Sequence, residues 1–382
     1  MRFPVLYWLI DLAKKGLFRY ICFLFLIICI STCKEIYYPI LDESISLLVV
    51  QGLVTDEPNE YTIKLTRSIP FNKGLIVYEQ GAKVYLESSE GNTYNFQETI
   101  PGYYVSDESK FKTKYGTAYT LIIQTKDRKA YRSSAQILYP KGSLDSIHSV
   151  ITTKTITNYE NGLGERIRNE RGVDFFGTID MKNDSVPYYR FSNTLMPEYT
   201  KKFIIYSNDT IKIQYCWLKY TPYDYLNLSE REHNLQMVKH LLGFCPLDTI
   251  FYGIQFTPLL KAGVVYGYIK MESQLYMITF KQYHLNKDVY NYYSQVNLQL
   301  AASQSILDPV NIQVTGNIIC TTNPQETVLG VFEVSSISKY SFFYRREING
   351  LKVDLEKLVD VDVSRLPNAD CNKDFPPDFW LY

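Results

Sequence analysis

The sequence predicts a mainly β protein, with an N-terminal immunoglobulin-like β-sandwich followed by a larger β-rich domain that packs one α-helix. Three observations predict this fold. From about residue 46, short segments with alternating apolar and polar residues follow one another. The intervals between them carry turn residues, and only one segment has a helical period.

The N-terminal strands are recognised by their period of two. In "YTIKLT" (61–66) and "AKVYLE" (82–87) every second residue is apolar, as in a strand with one buried face. The turn-forming "SSEGN" follows the second segment, so residues 82–96 predict a β-hairpin. With further strands at "LLVVQGLV", "TAYTLIIQT" and "KAYRSSAQIL", residues 46–140 predict a sandwich of immunoglobulin-like type.

The second predicted domain covers residues 146–382. The segment "YPKGSLDS" (139–146) contains Pro and Gly and predicts the boundary before it. The strands expected in this domain include "SIHSVITTKTI", "VDFFGTIDM", "VPYYRFSN", "DTIKIQYCWLKY" and "VVYGYIKMESQLYMITFKQY".

One helix is predicted near residues 286–302. Val289, Tyr293, Val296 and Leu300 recur at helical spacing, and Asn286 stands where an N-cap is expected. The helix is expected to pack against a sheet.

The N-terminus predicts export and lipid attachment. The apolar run Ile21–Ile30 follows several basic residues and is shorter than the roughly 20 residues that cross a bilayer, so residues 1–32 predict a signal peptide. Bacterial lipoprotein signals resemble the next residues, Ile30-Ser31-Thr32-Cys33, in which the cysteine is acylated and becomes the new N-terminus. A cleaved soluble form and an uncleaved anchor are the alternatives.

Cys33 is therefore the predicted lipidation site, and residues 33–45 are the predicted tether. Each buried CH₂ of an acyl chain such as palmitate contributes about 0.8 kcal/mol, so multiple acylation gives stable anchoring. The expected location is the outer membrane, at the cell surface or on the periplasmic leaflet.

The charge balance argues against a nucleic-acid partner. The chain has 40 basic and 40 acidic side chains, and residues 1–32 hold four of the basic and one of the acidic ones, so the remainder is slightly acidic. The densest basic stretch, "GERIRNERG" (164–172), interleaves arginine with glutamate. A polyanion-binding protein would show a basic excess or a basic stripe instead.

Cysteine usage is consistent with an oxidising compartment. Beyond Cys33 the chain has Cys216, Cys245, Cys320 and Cys371, which allow three pairings. A disulfide between Cys216 and Cys245 would close the shortest loop, and burial of unpaired thiols is the alternative.

The sequence contains no familiar catalytic or phosphate-binding motif and predicts neither a cofactor nor a metal site. On a helix, His233 and His240 would lie two turns apart, which is too far for a shared ligand without further groups. The carboxylates of "VDLEKLVDVDV" (353–363) are interpreted as a charged solvent face of strands, with a calcium site as the less favoured alternative.

Aromatic residues are the compositional excess, with 34 tyrosines in 382 residues. In "YCWLKYTPYDYLNL" a strand gives way to a proline-bearing loop, and Trp217, Tyr220, Tyr223 and Tyr225 are concentrated there. Exposed aromatics on such a loop can bind a protein partner or stack on a peptide or glycan ligand, whereas packing in the core is the alternative.

Several segments together resemble a known family. They are "LVVQGLVT", "GTAYTL", the Cys216-Trp217 pair, "MITFKQYHLNKDVYNYYSQVN", "GNI" (316–318), "VLGVFEVSS" (328–336) and "PDFW" (377–380). In order and spacing they are similar to Gram-negative outer-membrane lipoproteins grouped as domain of unknown function four-two-four-nine.

The resemblance implies location and partners rather than a reaction. Family members are typically encoded beside outer-membrane receptors of the TonB-dependent class. The expectation is thus a non-enzymatic accessory or binding lipoprotein at a TonB-dependent β-barrel transporter. A surface structural or adhesive lipoprotein is the alternative, and a hydrolase is less favoured than either.

Overall fold

The computed structural model describes residues 46–69, 76–160, 164–180, 188–205, 210–218, 226–230, 237–246, 256–261, 264–270, 275–302, 314–345, 356–358 and 369–370. These ranges are mainly β, which confirms the predicted fold class. The immunoglobulin-like detail is not confirmed, because the N-terminal strands belong to a curled sheet, a half-barrel. The predicted signal peptide and Cys33 lie outside the described residues.

The N-terminal strands lie close to where sequence alternation predicts them. They are β1 (Leu48–Thr55), β2 (Thr62–Arg67), β3 (Val77–Tyr78), β4 (Lys83–Ser88), β5 (Thr93–Ile100), β6 (Tyr103–Ser106), β7 (Ala118–Gln124), β8 (Ala130–Ser133) and β9 (Gln136–Ile137). The predicted hairpin is confirmed as the antiparallel pair β4–β5.

The later strands are longer on average, and one helix lies among them in the described part of the chain. The strands are β10 (Leu144–Glu160), β11 (Gly164–Asp180), β12 (Tyr188–Ile205), β13 (Thr210–Leu218), β14 (Asn227–Glu230), β15 (Met237–Pro246), β16 (Phe256–Lys261), β17 (Val264–Lys270), β18 (Leu275–His284), β19 (Ile318–Cys320), β20 (Leu329–Arg345), β21 (Glu356–Leu358) and β22 (Ala369–Asp370). The helix is α1 (Lys287–Ala302).

The curled sheet runs in the order β20–β1–β2–β6–β5–β4–β7–β8–β19, with β3 beside β2 and β9 beside β7. All of these pairs are antiparallel except β1–β20, which is parallel. The ends of the sheet meet where the Asn317 side chain exchanges two hydrogen bonds with the Phe332 backbone, at 2.7 and 2.9 Å. Residues from late in the chain therefore complete the N-terminal sheet.

The half-barrel encloses an apolar core. Ile63, Leu65, Val84 and Leu86 point inward as their alternation predicts, and none is more than 1% exposed. The late residue Phe332 belongs to the same core. Gly330 lets β20 approach β1, since it has a φ of +90° and a Cβ there would lie 1.9 Å from the Val50 carbonyl oxygen.

The later strands form two layers. Strands β10, β11 and β15 make a separate antiparallel sheet, which packs on the sheet formed by β14, β12, β18, β20 and β21. The rings of Phe175 and Phe280 meet between the layers at 5.3 Å. The second half of β12 pairs with β13 and β17, which continue to β22 and β16.

Helix α1 lies at the predicted position and packs on a sheet. Val289 is fully buried and clusters with Tyr283 and Ile337, which lie on β18 and β20. Asn286 immediately precedes the helix, but its carboxamide bonds the Ile137 backbone rather than a helical N–H. The residue expected as a cap thus joins the helix to β9.

The segment at the predicted domain boundary is held by later strands. The Pro140 carbonyl accepts hydrogen bonds from His284 Nδ1 at 2.7 Å and Ser336 Oγ at 3.1 Å, and the Gly142 carbonyl accepts one from Ser338 Oγ at 2.5 Å. The boundary itself stays a prediction. An independent N-terminal domain would have to fold without β19 and β20.

Candidate functional site: a charged junction

A group of charged side chains lies where the half-barrel meets the sheet that carries helix α1. The charged junction consists of Asp56, Glu57, Lys141, Arg190, Lys281, Glu333 and Lys339. Four of these side chains come together because β12, β18 and β20 each alternate apolar residues with charged or polar ones. The apolar face packs on the β10–β11–β15 sheet and, at the start of β20, in the half-barrel core. The other face carries Arg190, Lys281, Glu333 and Lys339.

The centre of the junction is the ion pair between Arg190 and Glu333. One terminal nitrogen of Arg190 lies 3.0 and 3.2 Å from the two carboxylate oxygens, and the side chains are 14% and 1% exposed. Glu333 also accepts hydrogen bonds from Tyr293 Oη at 2.7 Å and Ser335 Oγ at 2.8 Å. The buried carboxylate is therefore fully bonded, as a buried charge must be.

Two tyrosine rings cover the Arg190 guanidinium. Its central carbon lies 3.8 Å from the ring centre of Tyr283 and 5.3 Å from that of Tyr293, within cation–π range. Burial, the largest single effect, lowers the pKa of Arg190, but Glu333, Tyr293 and Tyr283 together outweigh burial and the pKa is raised. Burial raises the pKa of Tyr293, and Glu333 raises it further. Both groups are held in their protonated forms.

Asp56 links three parts of the chain at the rim of the junction. It accepts a hydrogen bond from the Ile337 backbone N–H at 2.8 Å and one from Tyr115 Oη at 2.6 Å. Lys141 forms an ion pair with the same carboxylate at 3.3 Å. This carboxylate thus caps the edge of β20 beyond its pairing with β1.

Lys281 is the exception among the cations. Lys141, Arg190 and Lys339 are paired with Asp56, Glu333 and Glu57 respectively. Lys281 is half-buried and forms no ion pair or hydrogen bond with any group in the described part of the chain. Burial lowers its pKa; Glu57 opposes this effect, whereas Lys339 and Arg190 add to it.

A second titratable group, His240, lies between the two layers. His240 is on strand β15, so the helical spacing considered for the two histidines does not apply, and His233 lies outside the described residues. Its Nε2 lies 2.6 Å from Asn227 Oδ1, and its ring stacks on Phe191 at 4.9 Å. Burial lowers the pKa of His240 to about 4, so the ring is neutral at pH 7.

The family assignment comes from the sequence comparison. The model of the family called Domain of unknown function (DUF4249) matches residues 34–341, most of the chain and all of the charged junction. The chain belongs to this family. Neither a curated protein nor a solved structure matches it.

The partner-contact residues predicted for this DUF4249 chain are mostly beyond the described structure. Trp217 lies on β13, where its backbone pairs with Glu198 and Asp370. Tyr220, Tyr223 and Tyr225 lie outside the described residues. Their role in binding a partner or ligand stays a prediction.

The predicted disulfide also stays a prediction. Cys216 is on β13 and Cys245 is on β15, two strands that belong to different sheets, and their side chains lie outside what the structure describes. Cys320 is buried and free, as the alternative for a cysteine within a strand expects.

Within the described ranges of the DUF4249 chain, no group of three or more metal-ligating residues is found, and no helix is long and apolar enough to cross a bilayer. Sequence reasoning missed the charged junction. A signal was available, because "YRF", "FKQY" and "FEVSS" each place one charge inside an otherwise strand-like segment. That pattern indicates a buried or half-buried charge, but it does not identify the partner.

Proposed function

We propose that the protein is a lipid-anchored outer-membrane lipoprotein that serves as a non-enzymatic binding or accessory component of a TonB-dependent transport system. The observation that carries the anchor is the short apolar run Ile21–Ile30 followed by Ser31-Thr32-Cys33. An apolar core of this length is typical of a signal peptide rather than of a spanning helix.

The chain length after Cys33 supports a location close to the membrane surface. Strand β1 begins at Leu48. An extended chain covers at most about 3.5 Å per residue, so the residues between Cys33 and the fold can span roughly 50 Å. The folded part would remain within reach of a membrane-embedded partner.

The accessory role rests on the family. Membership is shown by the match over residues 34–341, and the link to TonB-dependent receptors is what the resemblance described above implies. The aromatic residues from Trp217 to Tyr225 supply side chains of the kind that dominate the affinity of protein interfaces.

The anchor is tested by Cys33→Ser. The variant should incorporate no fatty-acid analogue and should move from the membrane fraction to the soluble fraction, because no thiol remains to be acylated. Cys320→Ser is the matched control, since it removes a buried cysteine distant in sequence, and it should still be labelled. Absence of label on the wild-type chain would refute the lipoprotein proposal.

The accessory role is tested by capture of a partner from solubilised outer membrane. A stoichiometric β-barrel receptor is expected with the wild-type chain. Tyr223→Ala combined with Tyr225→Ala should weaken this capture at least tenfold and leave the melting temperature nearly unchanged. Tyr85→Ala, a half-buried tyrosine on β4, serves as the control for removal of an aromatic residue elsewhere.

The outcomes separate the alternatives. If no barrel is captured and the chain instead binds whole cells or matrix glycans, the adhesive function is favoured. Reduced stability with capture intact would show that the two tyrosines are packing residues.

A further inference from the structure

Lys281 lies in a position that is electrostatically unfavourable for an unpaired lysine. On β18 it is directly opposite Lys339 of β20, and on its other side it is opposite Ser192 of β12. Like charges directly opposite in a sheet destabilise it, and partial burial adds a desolvation cost. Lys339 is paired with Glu57, so that carboxylate is already engaged.

Two neighbouring hydrogen-bond donors also lack an acceptor within the described ranges. Ser192 and Lys281 have Cβ atoms about 5 Å apart, as cross-strand neighbours on one face do. The buried Nε of Arg190, two residues before Ser192 on the same strand, has no hydrogen-bond partner among the described residues. The half-buried Ser192 hydroxyl also makes no hydrogen bond to another described group. Three N–H or O–H donors, counting the Lys281 ammonium itself, are thus without an acceptor in the described part of the protein.

The net charge of the charged junction indicates the kind of ligand. The charged junction has four cations and three anions, and the pairing leaves one positive charge, on Lys281. A monoanion neutralises this charge, whereas a dianion such as a phosphate monoester would leave one negative charge uncompensated beside Glu57. A carboxylate has one charge and two oxygens, which suit an ammonium group and a hydroxyl on adjacent strands.

We propose that Lys281, with Ser192 beside it, binds the carboxylate of a ligand at the solvent-accessible part of the charged junction. The carboxylate can come from the C-terminus of a peptide or from an acidic sugar, and the two share the same recognition chemistry. The site does not depend on the lipid anchor or on a transport partner, so its failure would leave the proposed function intact.

Calorimetric titration of the full chain in non-ionic detergent tests the proposal with two matched probe pairs. Trialanine with a free C-terminus is compared with trialanine amide, and glucuronate is compared with glucose. We expect the carboxylate member of at least one pair to bind at least tenfold more tightly than its neutral partner. The pair that shows the difference identifies the source of the carboxylate.

Variants locate the site. Lys281→Met should weaken binding of the carboxylate probe at least tenfold, and Lys112→Met, which removes an exposed lysine elsewhere, should leave it unchanged. Without any probe, Lys281→Met should melt at a higher temperature than the wild type, because it removes an unpaired half-buried charge. Lys281→Gln keeps a polar side chain and provides the same binding test if the methionine variant does not fold.

Two results would overturn the proposal. One is equal binding of charged and neutral probes, including no binding of any of the four. The other is carboxylate binding that both Lys281 variants retain.

Discussion

Strand β20 serves two regions that are built on different physical principles. Its residues Phe332 and Val334 enter the apolar core of the half-barrel, while Glu333 and Ser335, between and after them, face the charged junction. In the core, each apolar side chain stabilises the fold because it is removed from water, and any apolar neighbour provides this effect. In the junction each charge is tolerated only because a particular partner is present.

This difference determines how each region responds to mutation. Truncation of an apolar side chain in the core should lower the free energy of unfolding. A second truncation nearby should not restore it. Removal of one charge from the junction leaves its partner buried and uncompensated, so removal of that partner as well should restore much of the stability.

The largest effect is expected in the core. Phe332→Ala should lower the free energy of unfolding by about 3–5 kcal/mol, because a fully buried ring is replaced by a cavity. Urea unfolding followed by circular dichroism measures it. Ile319→Ala is the matched control, since its side chain is 64% exposed and its truncation should change stability by less than about 0.5 kcal/mol. Similar destabilisation of the two variants would contradict the assigned core.

A comparable but recoverable effect is expected at the junction. Glu333→Leu should destabilise the protein by about 3 kcal/mol, because Arg190 is left without its anion in a buried site. The double variant Glu333→Leu with Arg190→Met should regain most of this stability, to within about 1 kcal/mol of the wild type. Urea unfolding of the wild type, both single variants and the double variant, analysed as a double-mutant cycle, measures the coupling energy between Glu333 and Arg190. If the destabilisation of the double variant equals the sum of the two single variants, the two residues are not coupled.

At pH 7 the smallest effect is expected from His240, because its contribution to stability changes only in acid. Its folded pKa of about 4 lies below the ordinary value of 6.5, so the unfolded state binds the proton first. Stability should be unaffected above pH 6.5 and should fall between pH 6.5 and 4, with a slope below the one-proton limit of about 1.4 kcal/mol per pH unit.

His240→Gln isolates this contribution. Glutamine keeps a side-chain donor near Asn227 but does not titrate, so the fall in stability over this pH range should become shallower. His284→Gln is the control, because His284 bonds the Pro140 carbonyl at another site. An unchanged slope in His240→Gln would show that the histidine is not held neutral by its surroundings.

Local patterns in the sequence determined much of the β structure. Alternation in "YTIKLT" and "AKVYLE" correctly placed buried side chains, and the turn at "SSEGN" correctly placed a hairpin. The spacing from Val289 to Leu300 correctly placed helix α1. These features depend on neighbours in the chain, so the residues themselves carry the signal.

Only the tertiary structure decided which strands meet. The parallel pairing of β1 with β20 joins the first described strand to one late in the chain, and no local pattern specifies that partner. The same holds for Arg190, Lys281 and Glu333, which lie on three separate strands and become one charged junction only through the register of β12, β18 and β20. Strand β15 was missed for a related reason: its position is determined by packing against β11 rather than by its own alternation. Local sequence determines whether a segment can be a strand, whereas burial of a shared face determines its partner.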